Sequence, residues 1–151
     1  MLRSLLLLLP VLACAADPTL VIDLTLTEGS SDVPMIVMWV EKTDGTFVRT
    51  VHMFSKDKKY YKDMLTWAGA REGRESDIDA VVGPTPAWGG HTSVRVPAGD
   101  LLKDGMVLRI EQRKDKAGHY KKRKLPLSPA WPGVTLDKEG YLQHCTITVE
   151  K

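Results

Sequence analysis

Apolar residues recur at every second position through much of this chain, and that period points to an all-β fold built of half-buried strands. Over residues 20–26 the side chains of Leu20, Ile22, Leu24 and Leu26 fall on one face. Val21, Asp23 and Thr25 fall on the other, as in a half-buried strand. Residues 34–41 are apolar on both faces, with Ile36, Met38 and Val40 opposite Met35, Val37 and Trp39, the pattern of a central strand covered on both sides. The turn Thr43-Asp44-Gly45-Thr46 follows, where Gly45 takes a positive φ without a steric cost, so residues 47–54 are expected to return antiparallel to 34–41. Strands are also expected over 91–96, 105–113, 120–127 and 141–149. In the last of these Gln143, Cys145, Ile147 and Val149 share a face, which places Cys145 with the core.

One segment breaks the alternation. Tyr60, Tyr61, Met64, Leu65, Trp67 and Ala68 have helical spacing, so 58–70 is expected to form one short helix closing an end of the sandwich. Residues 69–90 form a long connection rich in glycine and proline, and long irregular loops in compact domains tend to carry function. A proline-rich loop around Trp131-Pro132-Gly133 leads to the last strand. The expected fold is all-β: an immunoglobulin-like antiparallel β-sandwich of about seven strands with one short helix, a small barrel being the alternative.

Residues 1–16 read as a cleaved signal peptide. Arg3 supplies the positive end, residues 5–12 the apolar stretch and Ala13-Cys14-Ala15 a small-residue cleavage site. The apolar stretch is shorter than the roughly 20 residues that span a bilayer. In a competing reading Cys14 is lipidated, making the protein a lipoprotein; Pro10 and the short apolar stretch weigh against it. The single domain is then 17–151, exported to the periplasm or secreted. Without the leader it keeps one thiol, Cys145, so no disulfide within the chain helps to hold it. Loss of Arg3 takes the formal net charge from +2 to +1, and a nearly neutral exported chain gives no support to a nucleic-acid partner.

Several segments together resemble a family of periplasmic proteins, DUF2271. They are Met38-Trp39-Val40-Glu41, the Asp44-Gly45 turn, Phe47-Val48-Arg49-Thr50-Val51, a helical stretch carrying Trp67, and Asp79-Ala80-Val81-Val82-Gly83-Pro84-Thr85. Gly90, a strand at 94–96, Ile110-Glu111-Gln112-Arg113 and Gly118-His119-Tyr120 follow. The family's Trp-Asp-Gly turn is absent, its place being taken by Arg95-Val96-Pro97-Ala98-Gly99-Asp100. The stretch 79–85 is also similar to the target motif of FAD:protein FMN transferases, Asp-x-x-(Ser/Thr)-Gly-Ala-(Thr/Ser), whose last hydroxyl takes FMN through a phosphoester. Asp79, Gly83 and Thr85 match, whereas Val82 replaces a hydroxyl residue and Pro84 a small alanine. The resemblance implies covalent FMN on Thr85, with Asp79 and Gly83 in the same site. It implies as partners an FMN transferase and a membrane redox protein. The bland alternative is that Gly-Pro-Thr-Pro is only a rigid turn.

Trp67, Trp88 and Trp131 lie near the expected loops, where they either stack on a flat ligand or anchor the loops by packing. Trp88 is the nearest to Thr85 and is included with the cofactor site. Trp39, in mid-strand, is expected to be structural. His52, His91, His119 and His144 have no metal-ligand spacing, and His144 should point away from its neighbour Cys145. The basic cluster Arg113, Lys114, Lys116, Lys121, Lys122, Arg123 and Lys124 either binds an anionic envelope component, through Lys121 to Lys124, or guards a sheet edge against pairing. With no nucleophile elbow, phosphate loop or dinucleotide fingerprint, the chain is not expected to be an enzyme. The expectation is an accessory or carrier module of extracytoplasmic flavin-linked electron transfer. The alternative is a cofactor-free interaction domain using loop 69–90 or hairpin 113–124.

Overall fold

The computed structural model describes residues 16–29, 32–55, 57–72, 81–114 and 117–151, the side chains of 117–121 excepted. The expected leader 1–16, apart from Ala16, and with it Cys14, lies outside the described residues.

Two sheets pack face to face. One carries β1 (Thr19–Leu26), β5 (His91–Pro97), β8 (Val134–Glu139) and β9 (Leu142–Glu150) in the order β5-β1-β9-β8. The other carries β2 (Met35–Lys42), β3 (Phe47–Phe54), β4 (Val82–Gly83), β6 (Met106–Lys114) and β7 (Ala117–Pro126) in the order β4-β3-β2-β6-β7. All pairs are antiparallel except the short β3–β4 pair, which is parallel. The all-β sandwich is therefore as expected, and the two separate sheets replace the barrel alternative.

The core lies between the sheets. The alternating Leu20, Ile22, Leu24 and Leu26 of β1 meet Ile36, Met38 and Val40 of β2, Leu108 and Ile110 of β6, and Cys145 and Ile147 of β9, all essentially without solvent exposure. Its two flanks are tied by arginines. Arg123 of β7 forms an ion pair with Glu139 of β8, its Nε donating to Oε2 at 2.9 Å, and Arg49 of β3 donates to the Pro97 and Ala98 carbonyls at the end of β5.

Four expectations are corrected. The 58–70 helix is a 3-10 turn (Lys58–Asp63) and a separate α1 (Leu65–Ala70), broken at Met64. It lies across the outer face of the five-stranded sheet instead of closing an end, because β2 is apolar on both sides and the outer side needs a cover. Tyr61, Met64 and Trp67 there pack with Met35, Val37, Trp39, Phe47 and Met53 in a second apolar cluster. Two strands, β4 and β8, lie where connections were expected. In β8 only Val134 and Leu136 carry the alternation before Asp137-Lys138-Glu139 obscures it. Finally, Gln143 is exposed while Leu142 is buried, because the register of β9 against β1 shifts between Thr25 and Leu26.

Candidate functional site

The loop from Val81 to Gly90 enters as an added edge strand and leaves into β5. Met53 N–H donates to the Val81 carbonyl and Ser55 N–H to the Gly83 carbonyl, each at 3.0 Å, so β3 holds the loop's first turn of chain in an extended form. Pro84 is exposed. Thr85 is half-buried, and its hydroxyl donates to the Pro34 carbonyl at 3.0 Å. Asp79, the remaining member of the expected site, lies outside the described residues.

Gly83 faces the sandwich interior beside His52. A Cβ built on Gly83 would stand 3.2 Å from His52 Nε2, so the bare Cα permits the close approach. His52 is 9% exposed, stacks at a tilt on Phe54 with 4.5 Å between ring centres, and its Nε2 finds no hydrogen-bond partner among the described residues. Burial holds its pKa down at about 4, from an ordinary 6.5. The unfolded chain therefore takes up the proton first, and the contribution of neutral His52 is complete above pH 6.5 and lost as pH falls through about 4. Urea melts between pH 7 and pH 4 should show a fall of about 2–3 kcal/mol attributable to this residue. A His52→Gln variant should show a correspondingly flatter profile; an unchanged profile would assign the acid sensitivity elsewhere.

Trp88 does not offer a free face to a flavin. A Cβ on Gly29 would lie 2.4 Å from its ring, so the indole sits on that glycine's backbone. Lys114 Nζ stands 5.1 Å from the ring centre, and Tyr141 meets it edge-on at 6.0 Å. Trp88 thus pins the loop to the core, and the half-buried Trp131 packs against the core from the connection before β8; Trp67 and Trp39 are fully buried. Behind Trp88, Tyr141 N–H donates to Oε1 of the buried Gln112 at 2.9 Å, joining the β8–β9 turn to β6.

The Lys114 contact reveals a juxtaposition hidden in the sequence. The start of the basic hairpin and the 81–90 loop, read separately, meet at one end of the sandwich. Lys122, Arg123 and Lys124 are exposed on β7, the outermost strand of its sheet, where lysines oppose edge-to-edge pairing. Lys121 also belongs to β7; its side chain and Lys116 lie outside the described residues. Cys145 is buried, with its thiol pushed up to about 12 by desolvation, whereas His144 on the opposite face is exposed beside Asp137. Among the described residues no three His, Cys, Asp or Glu side chains gather as a metal site.

Sequence reasoning missed a buried polar network on the outer face of the five-stranded sheet. Glu41 pairs with Arg109 and accepts from Trp39 Nε1 at 3.3 Å; Trp67 Nε1 donates to Thr50 Oγ1 at 2.9 Å. The fully buried Glu111 accepts the Trp67 N–H at 3.0 Å, and Arg113 donates to the Asp63 carbonyl. Trp39, Glu41, Thr50, Trp67, Glu111 and Arg113 are among the residues that carried the family resemblance; here Trp39, Thr50, Trp67, Glu111 and Arg113 fasten the helical cover to the sheet, while Glu41 is bonded within the sheet. A buried acid in a strand of Ile-Glu-x-Arg form was the available signal, but its partner lies 44 residues away.

The model of a family described as predicted periplasmic protein (DUF2271) matches residues 19–144. Among curated proteins and among solved structures nothing matches the chain.

Proposed function

This chain belongs to the DUF2271 family of predicted periplasmic proteins, and on that premise we propose that it is a non-catalytic accessory or carrier module of extracytoplasmic flavin-linked electron transfer, with FMN attached at Thr85. The observation that supports this most is the placement of Thr85, half-buried beside the exposed Pro84 on a loop at a sheet edge, where a hydrogen bond to the Pro34 carbonyl holds its hydroxyl in the closed form. In the transfer, the Thr85 oxygen bonds to the flavin-side phosphorus of FAD. The pyrophosphate bond breaks, AMP leaves, and the hydroxyl proton passes to a base of the transferase. The flavin supplies the redox chemistry, and this chain supplies position and environment. A membrane redox protein is then the electron partner.

A second reading is favoured by one observation, the covered faces of Trp88. In it the same end, with Lys114 and the basic strand β7, is a cofactor-free docking surface for an anionic envelope component through Lys121, Lys122, Arg123 and Lys124. Intact mass and peptide mapping after export from cells containing an FMN transferase separate the two. The carrier reading expects a gain of one FMN less one water on Thr85, absent in Thr85→Ala. An unmodified protein beside a modified control target would leave the docking reading.

A further inference from the structure

We propose that residues 81–85 form a strap that detaches from the edge of β3 while the sandwich stays folded, and that this opening presents Thr85 to a modifying active site. The second half rests on the flavin reading above; the first does not. The strap is weakly held. β4 pairs with β3 at two register positions, Met53 with Val82 and Phe54 with Gly83, whereas β6 pairs with β2 at eight. Its apolar anchorage is small: Val82 only flanks the outer cluster, Gly83 has no side chain, and Pro84 is exposed. Pro84 and Pro86 have no N–H with which to extend the ladder. Segments with few buried apolar contacts open at free energies far below that of global unfolding.

Closure also has a polar cost. Gly83 lies over His52, whose Nε2 is buried without a partner among the described residues, and opening returns that nitrogen to water. Opening is needed for modification because, in the closed form, the Thr85 hydroxyl is bonded to Pro34 and the chain just before it is fastened to β3. A transferase must surround an extended peptide to place the oxygen in line with phosphorus. Glycine at 83 lets the strap lie flat, and the prolines keep it extended once free.

Hydrogen exchange of the unmodified full chain tests the opening. The amides of Met53 and Ser55 donate to the strap, while strand alternation turns that of Phe54 toward β2. We expect Met53 and Ser55 to exchange about 100-fold faster than Phe54 under native conditions. Equal protection at the three amides would overturn the proposal. A disulfide between Met53→Cys and Val82→Cys, neighbours in register, should slow Ser55 to the rate of Phe54. Gly83→Ala, which presses on His52, should speed Met53 and Ser55 alone. With a transferase present, the closed disulfide form should remain unmodified and regain modification on reduction. Equal modification of closed and reduced forms would overturn the presentation step. An unmodified wild-type chain would instead remove the flavin reading and leave the exchange result standing.

Discussion

Replacing Trp67 by alanine is expected to remove about 3–5 kcal/mol of stability, the range for deleting a large buried aromatic side chain. The indole is fully buried between α1 and the sheet, meets Tyr61 edge-on at 5.9 Å, and supports the Arg71 guanidinium at 4.3 Å from its ring centre. Its loss also leaves the Thr50 hydroxyl without the Nε1 donor on the outer face. The helical segment is too short to be stable alone, so its place on the sheet depends on this contact and on Glu111 accepting the Trp67 N–H. Without the indole, the apolar outer cluster of Val37, Trp39 and Met53 should become accessible. Urea denaturation gives the loss directly, and a hydrophobic dye should bind the variant below its unfolding transition. A loss under about 1 kcal/mol would mean that the cover holds without Trp67.

Arg109→Met should be comparably damaging, by about 3–5 kcal/mol, for an electrostatic reason. Arg109 and Glu41 pair with only 9% of either side chain exposed, and removing the cation leaves a carboxylate in the interior with nothing to balance it. The double variant Glu41→Leu/Arg109→Met removes both charges and should regain most of the loss. It retains about 1 kcal/mol for the Trp39 Nε1–H, which loses its acceptor. Denaturation of the two single variants and the double variant closes the cycle. A double variant as unstable as the sum of the singles would show that the two residues act independently.

Of the residues in these predictions, Trp67 and Glu41 lie in segments legible as a family pattern before their role was, and Arg109 lies just before another. Trp39-Val40-Glu41 and Ile110-Glu111-Gln112-Arg113 were recognisable as strands, and Trp67 as part of a helix. That they fasten a cover to a sheet follows from contacts between segments far apart in sequence. The candidate loop was legible in a different way. The glycine and proline content marked 69–90 as irregular, but the pairing of Val82 and Gly83 with β3, the tie from Thr85 to Pro34 and the covering of Trp88 required the folded chain. For Trp88, near Thr85 in sequence, stacking on a ligand and packing of the loop are both compatible with the sequence, whereas in the fold Gly29, Lys114 and Tyr141 come to it from three other segments.

By itself the sequence determined the period-two strands, the Gly45 turn, the buried placement of Cys145 and the two-sided burial of β2. Each of these is written in residues a few positions apart, because side chains alternate along a strand and a tight turn needs its own φ. Only the tertiary structure decided which face received the helices, where the β9 register slipped to bury Leu142 in place of Gln143, and that β8 completes a sheet. It also brought Lys114 over Trp88 and set His52 beneath Gly83. Those outcomes depend on closing long loops and on the complementarity of surfaces that meet only then, information that no local period carries.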